Sequence, residues 1–320
     1  MTTVAVVIPT YNRPDRVRDC LAHLALQTRR PDRIVVVDSS DQPGTCAVVE
    51  ENPGVLYVRN PLGRGTTPEA RAIGVSLCRE DVIAFLDDDA NARADWLERI
   101  LSRYADPTVD GVGGCALNGI PGEREGGVGE IGLILPDGRL TGNFAADPGR
   151  DVEVDHLLGA NMSFRRSAIE RAGGIRGGYP GTCLREESDI ALRIRRLGGR
   201  LVYAPDAIVD HLPGEYAKGR RFDRRYSYYA NRNTIVLLSR VYGMSDPIVR
   251  RYLRVATREI GQELRRSARG LTRSLRTPPR QTVRQVGGGV TRAGAVLAGT
   301  VAGFPAALVQ LRRDGRRPAR

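Results

Sequence analysis

Short apolar runs alternate with segments of helical period along the first hundred residues. Residues 4–8 are continuously apolar and end in Pro9-Thr10-Tyr11-Asn12. Residues 33–37 end in Asp38, residues 55–58 near Asn60, and residues 82–86 in Asp87-Asp88-Asp89. Between them run helical patterns through Val17, Leu21 and Leu24, through Ala70, Ile73 and Leu77, and through Trp96, Leu97, Ile100 and Leu101. Thr67 suits an N-cap, with Pro68 at the first helical position. Unbroken apolar runs fit strands buried on both faces, and strands separated by helices predict βαβ units and a parallel sheet. From residue 110 to 151 the pattern loosens. Gly111, Gly113, Gly114, Gly126, Gly127 and Gly129 suggest loops, with short strands near 112–117 and 131–135. This less regular half is where an acceptor would be read. Residues 159–164 lead into a further strand, a short helix follows from Arg166, and residues 202–211 form a last strand-like run closed by Asp210-His211.

In a parallel sheet the carboxyl ends of the strands share one rim, and ligands of open α/β sheets bind there. Three adjacent carboxylates at such a rim repel one another, and a hard divalent cation relieves them. Alternation along an extended segment lets Asp87 and Asp89 face one way and Asp88 the other. Capping of the helix near Ala94 is the plainer reading, but one Asp suffices for that. Asp38 can accept from a base or ribose donor, or serve as a turn residue before Ser39-Ser40. No G-x-G-x-x-G follows the first strand, and Gly63-Arg64-Gly65 comes after the third, which argues against a dinucleotide fold. His211 closes a strand and suits a metal or phosphate ligand, or a cap. His23 reads as a surface residue, and His156 gives no signal.

The second chemical stretch is residues 185–198. Ile190, Ile194 and Leu197 form a helical stripe, and Glu187 lies on it at i−3 and i−7. A carboxylate turned inward beside a cleft is a general-base candidate with a pKa lifted by desolvation. Glu186 fits a first-turn acid favoured by the helix dipole. Asp189 is placed for a solvated ion pair with Arg193, four residues on.

Composition narrows the class. At 320 residues the chain can bury a sizeable core. Its five cysteines (20, 46, 78, 115, 183) contain no CxxC pair, which argues against a zinc ribbon or disulfide framework and fits a reducing compartment. The opening MTTVAVVIPTYNR lacks a basic leader and reads as a strand rather than a signal peptide. Residues 250–320 hold 17 basic and 3 acidic residues, a net of +14; with +12 for the whole chain, the remainder is at −2. A basic tail on a neutral body suits an anionic membrane surface or nucleic acid. Residues 220–242 read as a helix with a basic, Tyr-rich first half, residues 250–276 as an arginine-rich helix, and 277–279 as a break. Residues 293–311 carry no charge over 19 positions. That length just spans a bilayer, but Gly, Ala and Pro305 weaken its apolar drive, so an interfacial helix is expected rather than a span, with a solvated tail packed on the domain as the alternative.

Six segments in order, VVIPTYNR (6–13), VVVDSSD (35–41), ARAIG (70–74), FLDDD (85–89), GANMSFRRS (159–167) and REESDIALRIRRLG (185–198), together resemble glycosyltransferase family 2, inverting enzymes of the GT-A fold. The resemblance covers about residues 4–242. It implies a Rossmann-like, mostly parallel α/β sheet flanked by helices in a catalytic domain of residues 1–215, with a helical, basic, membrane-associating region at 216–320. It further implies that Pro9, Thr10, Tyr11, Arg13, Asp38, Arg71, Asp87 and Asp88 bind the nucleotide-sugar. Asp89 and His211 would hold Mg²⁺ or Mn²⁺, with Asp87 beside Asp89 serving nucleotide and metal, and Glu187 would be the general base. Two positions depart from the family pattern: Ser39 stands where a second Asp usually follows Asp38, and Glu186-Glu187 replaces the usual Glu-Asp. The region from 220 resembles that of membrane-associated, rhamnosyltransferase-like members that build cell-surface polysaccharides. The implied partners are a nucleotide-sugar donor, a glycan or lipid-linked glycan acceptor and an anionic membrane surface, with no nucleic acid and a cytoplasmic site at the inner face of the membrane. A sugar nucleotidyltransferase is the alternative enzyme, disfavoured by the missing Gly-rich loop. A nucleic-acid binder leaves 87–89 and 186–187 unexplained and lacks an aromatic-rich module.

Overall fold

A computed structural model of the chain describes residues 2–181, 183–211, 224–273 and 279–315. The strands are β1 (Val4–Thr10), β2 (Arg33–Asp38), β3 (Val55–Arg59), β4 (Val82–Leu86), β5 (Ala90–Ala92), β6 (Val109–Leu117), β7 (Val152–Glu153), β8 (Asn161–Arg165) and β9 (Arg200–His211). The helices are α1 (Pro14–Ala25), α2 (Thr45–Glu50), α3 (Thr67–Ser76), α4 (Trp96–Arg103), α5 (Arg166–Arg171), α6 (Glu186–Arg196), α7 (Arg224–Tyr242), α8 (Pro247–Arg273) and α9 (Pro279–Gly315).

The strands form one sheet in the order β3-β2-β1-β4-β8-β6-β9-β5, with β7 on β9. Strands β1 to β4 are parallel, as expected from their apolar runs. Strand β8 then enters antiparallel between β4 and β6, and β6 and β9 are again parallel. The α/β class stands, and the inserted β8 makes the far half of the sheet mixed. Both faces of the sheet are covered. Val17, Leu21, Leu24, Trp96 and Ile100 close one side, and Ala70, Ile169, Ile190 and Ile194 close the other. Gly74 lets α3 lie on β1: a β-carbon there would fall 2.3 Å from Val7 Cγ1. Gly111, Gly113 and Gly114 are not loop residues. They lie inside β6, where a β-carbon at Gly114 would fall 2.0 Å from the Ala207 carbonyl. Of the strand expected near 131–135 only a single bridge, Ile134 to Leu140, forms. Strand β5 separates Asp87–Asp89 from α4, so these residues do not cap that helix. Helix α3 begins one residue earlier than expected, at Thr67 with Thr66 in the N-cap position, and the Thr66 hydroxyl donates to the Gly63 carbonyl instead of capping.

Helices α7, α8 and α9 form a second layer against α6. Val236, Leu237 and Ala307 pack on Tyr179 and Leu192, while Leu238, Ile248 and Tyr252 join α7 to α8. The boundary expected between residues 215 and 216 lies outside the described residues, as do 220–223 of the Tyr-rich segment and the break at 277–278. Residues 288–315 of α9 have a mean hydropathy of 1.6 in their most apolar window, long and apolar enough to cross a membrane.

Candidate active site

A cleft of about 790 Å³ opens at the carboxyl ends of β1 and β4. It is walled by residues 9–13, the 63–67 loop, Asp87–Asp89, residues 158–160, the start of α6 and His211. Its position follows from topology: β1 and β4 are adjacent, and their ends leave the sheet together.

The three aspartates divide their work. Ala90 N–H donates to the Asp87 carbonyl (3.1 Å), so the triplet turns as it leaves β4. Asp88 is buried against β1, accepting from Thr10 Oγ1 at 2.7 Å and from Arg13 Nη1 at 3.0 Å. Burial pushes its carboxyl up to about 6, although Arg13 opposes this. Asp89 accepts from Arg13 Nη1 at 2.9 Å and sits 3.5 Å from His211 Nε2. Burial would raise its carboxyl too, but His211 and Arg13 outweigh it and hold it below the usual range. Asp87 is the most open, with its side chain 33% exposed. Asp87, Asp89 and His211 each offer a ligand atom within 4.8 Å of the others. Two carboxylates and an imidazole so converged can hold a divalent cation, and the mixed oxygen–nitrogen set suits Mn²⁺ better than Mg²⁺. Strand pairing makes the trio, because Ala90 of β5 lies in register with His211 of β9.

Two of the residues expected to bind nucleotide, Arg71 and Asp38, are buried and engaged by protein groups. Arg71 lines the cleft but is only 2% exposed. One Nη donates to Glu186; the other reaches Asp87 Oδ1 at 2.7 Å and the Gly159 carbonyl at 2.9 Å. Both ends of its fork are thus engaged by protein groups, and one of them holds Asp87. A β-carbon at Gly159 would fall 2.9 Å from the guanidinium, so that position must stay bare. Asp38 is 2% exposed and does not line the cleft. It accepts from the Ser40 N–H (2.9 Å), the Ser40 hydroxyl and Tyr57 OH (2.9 Å), with Arg59 at 3.5 Å. Ser39, its neighbour, faces the cleft instead. Pro9, Thr10, Tyr11 and Arg13 all line it, and Tyr11 OH donates to Asp41 at 2.8 Å.

Helix α6 presents its acids to different surroundings. Its N-cap residue, Arg185, has φ of 81°, a left-handed conformation rare outside glycine that costs about 1–3 kcal/mol and clusters at functional sites. The Arg185 side chain is tied to Thr234 Oγ1 of α7 at 3.1 Å. Glu187, half-buried, lines the cleft, and burial lifts its carboxyl above the ordinary value against its backbone hydrogen bond and the charges of Arg185 and Arg71. Glu186 is not an exposed first-turn acid. It is 4% exposed and paired with Arg71, and its Oε2 has no hydrogen-bond partner among the described residues. Asp189 is not solvated either. It is fully buried and accepts from Arg193 Nε and Tyr179 OH, each at 2.5 Å, with Arg240 at 3.6 Å. Leu197 leaves the expected stripe: it is 62% exposed and caps the helix. Sequence reasoning missed His156, buried beneath α6, whose Nε2 meets the Thr141 carbonyl at 2.9 Å and whose Nδ1 meets Ser188 Oγ at 3.3 Å. It also missed Arg240; the signal was a lone cation within the apolar run of residues 235–242.

A family model described as Glycosyl transferase family 2 matches residues 5–173. The pre-mycofactocin glycosyltransferase of Mycobacterium tuberculosis is 29% identical over 65% of this chain and 42% of its own length, so the chain spans about two fifths of that relative. The glucosyl-dolichyl phosphate glucuronosyltransferase of Haloferax volcanii is 28% identical over 67% of this chain and 70% of its own. The O-antigen chain rhamnosyltransferase RfbN of Salmonella typhimurium is 22% identical over 70% of each. Among solved structures, the mannosyltransferase PcManGT of Pyrobaculum calidifontis, determined with GDP-Man and Mn²⁺, superposes with a TM-score of 0.56 at 19% identity over 95% of this chain and 87% of that one. That likeness is one of fold, and the fold is GT-A. With the matched model covering more than half of its 320 residues, the chain belongs to glycosyltransferase family 2.

Proposed function

We propose that the chain is an inverting glycosyltransferase that moves a sugar from a nucleotide-sugar donor to an acceptor hydroxyl, with Glu187 as general base. One observation carries the reading: the Asp87, Asp89 and His211 trio and a half-buried, cleft-facing Glu187 share one cavity. Family membership and the bound GDP-Man and Mn²⁺ of the mannosyltransferase neighbour support it. The acceptor hydroxyl attacks the anomeric carbon from the face opposite the leaving diphosphate. The new C–O bond forms as the bond to phosphate breaks, the hydroxyl proton passes to the Glu187 carboxylate, and the nucleoside diphosphate departs. A single displacement inverts configuration. Desolvation raises the basicity of Glu187, which suits proton uptake near neutral pH.

Asp87, Asp89 and His211 would hold the cation, and the unpartnered Glu186 Oε2 beside them is consistent with a polar ligand in the cleft. When bound, it supplies positive charge against the leaving diphosphate. Arg13 and Thr10 hold Asp88 so that Asp89 keeps its orientation, and residues 9–11 with Ser39 wall the nucleoside end. The acceptor is a glycan or lipid-linked glycan, a reading that the names of the archaeal and O-antigen relatives support. The second layer rests on an anionic membrane surface. Helix α9 buries one face on α7 and α8 and turns the other outward, which favours lying at the interface over spanning it.

The test is thermal stabilisation by a panel of nucleotide-sugars and nucleoside diphosphates, with and without Mn²⁺, on wild type and Asp89→Ala. Ligand binding to the native state raises the melting temperature by mass action. A Mn²⁺-dependent rise with one nucleotide, lost in Asp89→Ala, is expected. No rise with any nucleotide would sink the reading.

A further inference from the structure

Helix α7 turns one face towards the loop that leads into α6. Tyr229, Arg232, Asn233, Val236 and Arg240 recur at helical spacing and share that face. Its polar members grip the loop by the backbone. Arg240 Nη1 donates to the Gly177 carbonyl at 2.8 Å, and Arg232 Nη1 donates to the Gly178 carbonyl at 3.1 Å. The Asn233 amide nitrogen donates twice, to the Pro180 carbonyl at 3.2 Å and the Leu184 carbonyl at 3.1 Å. Its Oδ1 accepts from Arg232 Nη1 at 2.7 Å. Asn233 is fully buried, and each of its polar atoms is paired. Asparagine is a weak helix former and is costly to bury, so its place in mid-helix is explained by those partners rather than by the helix.

The grip holds a strained backbone. Cys183 and Arg185 have φ of 58° and 81°. Such left-handed values cost non-glycine residues about 1–3 kcal/mol each and persist only where the surroundings over-determine them. Asn233 fixes the Leu184 carbonyl between the two, and Thr234, the next residue of α7, accepts from Arg185 Nε at 3.1 Å. Helix α6 starts directly from this pair. The Glu186 N–H donates to the Cys183 carbonyl at 3.2 Å, and the Asp189 N–H donates to the Arg185 carbonyl at 3.0 Å. Cys183, Leu184 and Glu187 all wall the cleft. A backbone released at residues 183–185 would therefore rotate the first turn of α6, and Glu187 with it.

We infer that Asn233 is a positioning residue for transfer: by holding residues 180–184 it sets the start of α6 and the aim of Glu187, so that the helical layer is a working part of the site. The inference rests on the reading of Glu187 as general base. Asp87, Asp89 and His211 are carried instead by the turn after β4 and the end of β9, so the two halves of the site have separate supports.

The test compares the full chain with Asn233→Ala and with Thr234→Val, a near-isosteric change that decides the matter if the alanine variant does not fold. Turnover is read as nucleoside diphosphate released with Mn²⁺ and water in place of the acceptor, from UDP-glucose, GDP-mannose and dTDP-rhamnose in turn, per folded molecule. Asn233→Ala should lower kcat about 10–100-fold, the scale of a misplacement of about 1 Å, and Thr234→Val several-fold. The KM for nucleotide-sugar and the Mn²⁺ half-saturation should stay within about threefold, a split that a merely structural loss would not produce. Amide exchange at residues 183–189 should quicken in both variants ahead of the rest of the chain. Unchanged kcat in every variant that folds, or donor and Mn²⁺ affinity falling as far as kcat, overturns the inference. Glu187→Gln is measured beside them. If it abolishes turnover while the α7 variants leave it unchanged, only the positioning role is rejected. If it keeps full turnover, or wild type releases nucleotide from none of the donors, the transferase reading with Glu187 as base fails.

Discussion

Helix α6 separates two buried charge clusters that follow opposite rules. On the side of the helical layer, Asp189 is closed by Arg193, Tyr179 and Arg240, and Arg240 in turn grips Asp314 of α9 at 2.9 Å. Each Asp189 oxygen has a partner, and its carboxyl is held below the usual range because those cations outweigh its burial. On the cleft side the accounts stay open. Glu186 Oε2 has no partner among the described residues, Asp87 is partly exposed, and burial lifts the Glu187 carboxyl. Saturated buried charge marks an anchor, and unsaturated buried charge beside a cavity marks a site, because desolvated polar groups are costly unless a ligand or partner meets them. Asp189 ties helix α6 to α7 through Arg240, which also holds Asp314 of α9, and on the proposed reading that fixation aims Glu187.

Several changes would break or sharpen this contrast. Arg240→Ala leaves Asp189 and Asp314 buried without their shared cation, and should cost about 3–5 kcal/mol in urea unfolding. A loss under about 1 kcal/mol would place the cluster among ordinary surface pairs. Next, His156 is neutral and enclosed beneath α6, with desolvation first and the charge of Arg185 second pulling it down to about 4 from 6.5. The unfolded chain binds that proton first. Its contribution is therefore complete above about pH 6.5 and lost as the pH falls to about 4, a change of about 3 kcal/mol. Stability of His156→Phe should be flatter across that window. Third, Arg71→Lys cannot bridge Asp87 and Glu186 together, and outer partners of metal ligands typically carry about 10–100-fold in metal affinity. The Mn²⁺ concentration for half-maximal activity should rise by that factor with the fold intact. The smallest effect is in the pH profile of transfer. Because burial raises the Glu187 carboxyl, the acidic limb of kcat should lie above the ordinary carboxylate value, with activity lost as pH falls through it. A limb at the ordinary carboxylate value would contradict a desolvated base.

Legibility in the sequence followed the range of the interactions. Strands β1, β2 and β4 and their rim could be read because a strand buried on both faces leaves an unbroken apolar run in its own residues, and the edge strand β3, only partly buried, keeps the shorter run of residues 55–58. Glu187 could be placed inward because its neighbours Ile190 and Ile194 set the helical phase locally. The reading failed where partners come from far along the chain. Asp189 looked solvated because Arg193 is four residues away, whereas Arg240 arrives from α7. Arg71 looked free because its acceptors, Asp87 and Glu186, lie 16 and 115 residues on. Asp38 looked available because Tyr57 closes it from the adjacent strand. The antiparallel β8 left no local mark, since pairing direction is decided by the connections around it. Glycines 111, 113 and 114 read as loop signals because close packing against Leu157, Phe164 and Ala207 is not written near them.

The most direct test of the account is transfer by Glu187→Gln with donor, Mn²⁺ and acceptor present, measured with nucleotide affinity and the anomeric configuration of the wild-type product. The account predicts a loss of about 10³-fold in kcat, within the roughly 10²–10⁴-fold range of general-base catalysis, with nucleotide affinity unchanged and the product inverted. Full transfer by the variant, or a product of retained configuration, would contradict it.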